Sequence, residues 1–260
     1  MIEISKKITT NVGRTNAKFG LIKENDRIMI GFSGGKDSLT LLHTLNRMQK
    51  KAPFKFDFKA VTITYGMGEQ IEFLSNHCKE HGIEHEIIDT QIFDLAGEKI
   101  RKNSSFCSFF SRMRRGYLYT TALEQGYNKI ALGHHLDDAM ESYFMNLFYN
   151  GTMRTMPPIY KANNGLEVIR PLIFCRERQL RAFADSNEIR VIGDEACPGL
   201  RFDVKMPHAR ATTKELLAKL EEQNPKIFVS MKAAFSNIQL PTFFYKDLKD
   251  IKLNIEDETI

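Results

Sequence analysis

The chain has 260 residues, 42% of them hydrophobic, with 37 Lys and Arg against 32 Asp and Glu for a formal charge of +5. That supports a real core in one large α/β domain with helical additions. No apolar run approaches the ~20 residues of a membrane helix, and no continuous apolar stretch follows the charges of Met1-Ile2-Glu3-Ile4-Ser5-Lys6-Lys7, which argues against a membrane span or secretory signal and for a cytoplasmic protein.

In chain order, Ile4, Ile8, Val12 and Phe19 at near-helical spacing predict a helical segment within residues 1–24. Arg27 to Phe32 reads as strand one, and Ser38 to Met48 as an amphipathic helix with Leu41, Leu42, Leu45 and Met48 on one face. Strand two spans Lys59 to Thr64. A helix bearing Ile71, Leu74 and Cys78 then stops at Gly82, and Glu84 to Asp89 gives strand three. A long helix from about Ser108 to Gln125 precedes strand four, Lys129 to Leu132. A helix from Asp137 to Tyr149, strand five at Glu167 to Leu172 and a helix from Glu177 to Asn187 follow. Beyond Gly193 the signal is helical only, at Thr212 to Gln223 and Lys226 to Asn237. Such alternation predicts an α/β fold, a doubly wound and mostly parallel five-stranded sheet with N- and C-terminal helical additions, divided into residues 1–24, 25–193 and 194–260.

Strand one ends in Ser33-Gly34-Gly35-Lys36-Asp37-Ser38. Two glycines let successive backbone N–H groups turn toward one anion, and the helix behind them adds its positive end. The run is neither Gly-x-x-x-x-Gly-Lys-Ser/Thr nor Gly-x-Gly-x-x-Gly. In a doubly wound sheet the ligand crevice lies at the carboxyl ends of the strands, where the loops after strands one and four should meet. The second of these is Gly133-His134-His135-Leu136-Asp137-Asp138. Its glycine permits close approach, and Asp137 and Asp138 at a helix N-terminus suit Mg²⁺ or a substrate group, one of them also serving as a cap.

Basic residues cluster at Lys99, Arg101, Lys102, Arg112, Arg114 and Arg115, at Arg176, Arg178 and Arg181, and again from Arg201 to Lys214. Three clusters beside a nucleotide loop point to a polyanionic partner. Of the four cysteines, Cys78 lies on the apolar side of its helix as a small hydrophobe, and Cys175 starts a helix beside arginines. In a reducing compartment such cysteines are thiols, metal ligands or catalytic groups rather than disulfides.

The Ser33–Ser38 run resembles the Ser-Gly-Gly-x-Asp-Ser signature of the PP-loop ATP pyrophosphatases. The likeness to the bacterial tRNA 2-thiocytidine synthetases of that superfamily continues through Cys107–Gly116, Lys129–Asp138, Asn146–Gly151 with Met156-Pro157-Pro158, and Ile169–Leu172. It implies a homodimeric enzyme that uses ATP and Mg²⁺ to adenylate the O2 of an anticodon-loop cytidine in tRNA. AMP is then displaced by sulfur from a donor such as a cysteine desulfurase. The resemblance implies nucleotide contacts from Ser33, Gly34, Gly35, Lys36, Asp37, Ser38, Thr62, Ile63, Gly133, His134 and Asp138. Catalytic roles would fall to Lys36, Arg114, Asp137, Cys107 and Cys197.

The family also carries a Cys-x-x-Cys and a third cysteine that hold an iron–sulfur cluster. Here Phe110 replaces the second cysteine, and Cys107, Cys197 and Asp194 are the ligands that the motif offers. Two thiolates are fewer than a four-iron cluster wants, so a persulfide relay between Cys107 and Cys197 is the alternative route for sulfur. A tRNA-lysidine-type ligase and a catalytically silent tRNA- or nucleotide-binding homologue are the competing readings.

Overall fold

The computed structural model describes residues 2–99, 106–193 and 208–243. Backbone proximity divides the chain into two units, Met1–Ala139 with Met156–Met206, and Met140–Thr155 with Pro207–Ile260.

The first unit is built on one sheet of order β3-β2-β1-β4-β6-β5. Its central strand β1 (Arg27–Gly31) pairs in parallel with β2 (Asp57–Ile63) and β4 (Lys129–Ala131); β2 pairs with β3 (His85–Ile88) and β4 with β6 (Glu167–Ile169), again in parallel. Ile28, Met29 and Ile30 are fully buried, as expected of a strand covered on both faces. Because side chains alternate across a strand, Ile28 and Ile30 join one core cluster and Met29 the other. The first cluster takes in helix α1 (Lys6–Phe19) through Ile8 and Val12, α2 (Lys36–Lys51) through Leu41, Leu42 and Leu45, and α7 (Glu177–Ser186) through Leu180 and Phe183. The second is covered by α4 (Ile92–Lys99) and α5 (Phe106–Glu124), which contribute Ile92, Phe109, Phe110 and Leu118. Helices on both faces make the sheet doubly wound.

The sheet has six strands where the sequence predicts five. The added strand, β5 (Ile159–Lys161), lies antiparallel at the edge, with Ile159 opposite Ile169. Three residues behind Pro157-Pro158 are too few to display alternation, and only pairing with β6 makes them a strand. Helix α4 is likewise unanticipated; its Ile92 and Ala96 are buried against the sheet. Elsewhere the expected elements appear with shifted ends. Helix α1 is capped by the Ser5 hydroxyl, which accepts from Ile8 N–H, and ends at Gly20 in the left-handed conformation. At the start of β4 the fully buried Lys129 ammonium is neutralised by Asp26 at 3.0 Å and Glu167 at 2.9 Å and donates to Leu21 O at 2.8 Å. A buried charge so paired is tolerated; alone it would not be.

Helix α6 (Leu136–Tyr149) leaves the first unit after its first turn. The remainder belongs to the second unit with α8 (His208–Gln223), α9 (Ile227–Ala234) and a 3-10 turn at Leu240–Thr242. Within that unit Arg210 Nε donates to the buried Glu141 carboxylate at 2.7 Å, and the rings of Tyr143 and Phe235 meet edge to face at 5.2 Å. Among the described residues no helix is long and apolar enough to cross a membrane.

Candidate active site

The loop after β1 is held from three sides. Phe32 N–H donates to Val61 O at 2.8 Å, and Ile192 N–H donates to Gly34 O at 2.9 Å. Gly34 has φ +78°, a conformation that favours glycine, and a Cβ there would fall 2.7 Å from Ile192 Cδ1, so that side chain would have to shift. The hydroxyls of Ser33 and Ser38 lie 3.2 Å apart, and Ser38 also donates to Gly35 O at 3.0 Å. Gly35 is the N-cap of α2 and supplies no side-chain cap. The first-turn N–H groups of that helix are therefore available to an anion, at its positive end.

The loop after β4 meets this turn backbone to backbone. A Cβ on Gly133 would lie 3.1 Å from Asp37 C and Ser38 N, so a side chain there would displace the phosphate loop. Beyond it the buried His135 ring is surrounded by carboxylates: Nε2 is 3.4 Å from Asp138 Oδ2 and 3.8 Å from Asp37 Oδ1, and Nδ1 is 3.6 Å from Asp137 Oδ2. Burial alone would depress the imidazole, but the bond with Asp137 and the charges of Asp138 and Asp37 leave its pKa raised. Asp37 is also raised, first by burial and then by the Asp138 charge, against the pull of His135 and Lys36. Its Oδ1 is buried with no hydrogen-bond partner among the described residues.

The two carboxylates of the acidic pair differ in role. Asp137 accepts from Arg176 Nε at 3.0 Å and from Glu177 N–H at 2.7 Å, with Arg176 Nη2 also 3.0 Å away. Burial would raise its pKa, but these donors and His135 hold it well below the usual carboxylate range. It thereby fastens the start of α7 to α6. Asp138 accepts from His135 N–H at 3.0 Å within its own turn. Lys36 reaches Glu177 at 3.2 Å and Asp37 at 3.3 Å, and these charges raise its pKa despite burial.

The remaining expected residues are more dispersed. The Thr62 hydroxyl donates to Phe32 O at 2.6 Å, at the base of the loop, and Ile63 is buried in the core. His134 Nδ1 accepts from Arg170 Nε at 3.2 Å. Arg114 donates to Tyr65 OH at 2.9 Å and lies over that ring at 5.0 Å. Cys107 stands in the first turn of α5, its side chain outside the described part; Asp194, Cys197, Arg201 and Lys205 lie outside the described residues. Phe110 is 3% exposed and packs edge to face on Tyr65 at 5.5 Å and on Phe109 at 5.7 Å. Cys78 and Cys175 are buried core residues whose thiols burial pushes up to about 12, which unfits them as ligands or nucleophiles.

Sequence reasoning missed Glu177 and Ile192. Arg176 was visible only as one member of a basic cluster. An acid at the first position of a helix is the signal that Glu177 offered, but its meeting with Lys36 spans 141 residues of chain and has no local signature.

An anion-binding strand–loop–helix, crossed by an acidic loop at the carboxyl ends of a doubly wound sheet, defines a nucleotide-binding domain. A family model described as a PP-loop domain matches residues 4–205. The chain is 44% identical over 237 residues to a tRNA-cytidine(32) 2-sulfurtransferase of Geobacter metallireducens, covering 90% of each chain. It is 42% identical over 236 residues to the enzyme of the same description from Geobacter sulfurreducens, again 90% of each. The chain therefore belongs to the PP-loop family, in the group of the tRNA-cytidine(32) 2-sulfurtransferases. In fold it is similar to the U34-tRNA thiolase NcsA of Methanococcus maripaludis, solved with its [4Fe-4S] cluster, with a TM-score of 0.70, 23% identity, and coverage of 89% of this chain and 77% of that one.

Proposed function

We propose that this chain is a cytoplasmic, ATP-dependent tRNA sulfurtransferase that acts on an anticodon-loop cytidine. The observation that carries the reading is the uncapped α2 N-terminus at the glycine turn, faced by Asp37, His135 and Asp138, in a chain 44% identical to a cytidine sulfurtransferase over nine-tenths of its length.

Backbone N–H groups of the turn hold the phosphates of ATP, and Lys36 offsets the charge gathering on pyrophosphate as it leaves. The cytidine O2 attacks the α-phosphorus and breaks the α–β anhydride, so that a poor leaving group becomes AMP. A sulfur nucleophile then adds at C2 and expels AMP. Asp37 and Asp138 are the oxygen donors that fit Mg²⁺, above all Asp37 Oδ1, which has no hydrogen-bond partner among the described residues, while Asp137 secures the wall of the site. When bound, the ion neutralises phosphate charge. Arg112 and Arg115 extend the site toward tRNA, and Arg114, held by Tyr65, supports the loop after β2.

Sulfur passes through Cys107 and Cys197. A persulfide on one attacks C2 and displaces AMP; the other thiolate attacks the inner sulfur, giving a disulfide and the 2-thio base. A cysteine desulfurase is the class of donor, and a reductant restores the thiols. With Phe110 in the aromatic core and Cys78 and Cys175 buried, the described residues add no third thiol, and a four-iron cluster does not fit on two. The cluster of the archaeal neighbour supports a second reading, in which Asp194 completes a set with Cys107 and Cys197. The working form is a homodimer.

The test is anaerobic incubation with ATP, a sulfane sulfur source, lysine, a thiol reductant and unmodified tRNA, followed by mass analysis of the nucleosides. AMP, pyrophosphate and 2-thiocytidine in equal amounts are expected. Lysine incorporation, or no base change, would overturn the proposal. Iron and sulfide analysis separates the sulfur routes: iron-free protein that thiolates supports the thiols, and about four irons per chain supports the cluster.

A further inference from the structure

Away from the phosphate loop, α2 carries a second polar cluster that the proposed chemistry does not use. His43 projects from α2 toward His77 in α3 (Glu72–Glu80) and His81, the C-cap of that helix. His77 and His81 are four apart and share one helix face. The three rings meet edge to face, with centroids 4.9 Å apart for His43 and His77, 4.9 Å for His43 and His81, and 4.7 Å for His77 and His81. His43 Nε2 is 2.7 Å from His77 Nε2, and one ring nitrogen from each residue falls within 4.8 Å of the others. His43 is 4% exposed; the other two are half-buried.

A single N–H···N hydrogen bond between neutral rings accounts for the 2.7 Å contact, but it leaves the convergence of the third imidazole unexplained. From these three nitrogens we infer a binding site for one zinc ion, held by His43, His77 and His81, with the fourth position open to water. Zinc bonded to imidazole at about 2.0–2.1 Å in tetrahedral geometry separates its ligand nitrogens by about 3.3 Å, so the His43–His77 pair opens by roughly half an ångström to admit it. Among the described residues this is the one group of three or more metal-ligating side chains that converge on a common point. Three imidazoles select zinc and its transition-metal neighbours, not Mg²⁺ or Ca²⁺, which take oxygen.

The site stands about 10 Å along α2 from Lys36, at 1.5 Å per residue. Its consequence is mechanical. Bridging α2 and α3 fixes the helix that carries Leu74, and Leu74 Cδ1 lies 3.0 Å from where a Gly34 Cβ would be. The ion is therefore a staple behind the phosphate loop. Asn46 helps by donating to His81 O at 3.4 Å, tying the α3 C-terminus to α2 without metal.

The test uses full-length protein with Cys107→Ser and Cys197→Ser, so that those thiols cannot take up metal. After chelator treatment it is loaded with zinc sulfate, and bound zinc is counted by mass spectrometry. One ion per chain is expected, and zinc at 100 times its Kd should lower the unfolding constant about 100-fold. His77→Asn and His81→Asn, at half-buried positions, should each abolish that response. Cobalt substitution needs no histidine variant: visible bands of a tetrahedral nitrogen site, without thiolate charge transfer, are expected. No zinc uptake, uptake equal in the histidine variants, or a purely octahedral cobalt spectrum would overturn the site. None of these outcomes bears on sulfur transfer, which is measured separately.

Discussion

Asp37 Oδ1 and His135 Nε2 face each other at 3.8 Å across the meeting point of the loops after β1 and β4, the carboxylate oxygen buried and without a hydrogen-bond partner among the described residues. This pair ties the phosphate loop to the acidic loop and joins function to a stability cost.

Asp37→Asn should abolish pyrophosphate release while leaving the empty fold at least as stable as the parent. A raised carboxyl pKa means that the fold favours the protonated form, so ionised Asp37 costs stability at every pH above its folded pKa. Loss of a preorganised charge in such a site commonly costs ~100-fold or more in rate. Pyrophosphate assay and thermal melts at neutral pH check both halves; an active variant would refute the assignment.

The pH dependence of stability should carry the mark of His85. Its half-buried ring lies between Thr62 Oγ1, 2.9 Å from Nε2, and Ser75 Oγ, 3.0 Å from Nδ1, and desolvation lowers it to about 4. A depressed histidine contributes stability that is full above its unfolded pKa near 6.5 and is lost as pH falls through the folded value. Urea melts with chelator present, compared between parent and His85→Gln, should differ in pH slope by up to one proton between about pH 6.5 and 4. Equal slopes would show that His85 stays neutral in the unfolded chain or charged in the folded one.

Two glycine substitutions should separate strain from position. Gly34→Ala meets both a left-handed backbone and the Ile192 side chain, and should destabilise by roughly 1–2 kcal/mol or more. Ile192→Ala restores the space but not the dihedral, so rescue should be partial. Gly133→Ala instead presses on the Asp37 and Ser38 backbone, and should lower pyrophosphate release more than it lowers the melting temperature.

For tRNA binding, Arg112 and Arg114 should behave differently. Arg112 is exposed, so Arg112→Ala should weaken binding and reduce the log–log salt slope by roughly 0.7–0.9 if it meets one phosphate. Arg114 is held by Tyr65, so Arg114→Ala should perturb the loop after β2 and change the salt slope less. Filter binding across a salt series distinguishes them.

Local chemistry made much of this legible in sequence. The apolar run of β1, the Gly34-Gly35 turn and the amphipathic face of α2 are short-range signals, and together they placed the phosphate loop at the carboxyl end of a strand, where the loop after β4 was expected to meet it. What hid from sequence was the work of long-range partners. Strand β5 has no pattern of its own and exists because β6 offers a free edge. Asp137 and Asp138 are adjacent and alike on paper, yet one faces Arg176 and Glu177 while the other closes on His135. His43, His77 and His81, scattered over 39 positions, converge because α2 and α3 pack together. Periodicity and turn chemistry act within a few residues and so are written in the order of the chain. The pairing and protonation of buried charges depend on which groups packing brings within about 4 Å, and that only the tertiary structure decides.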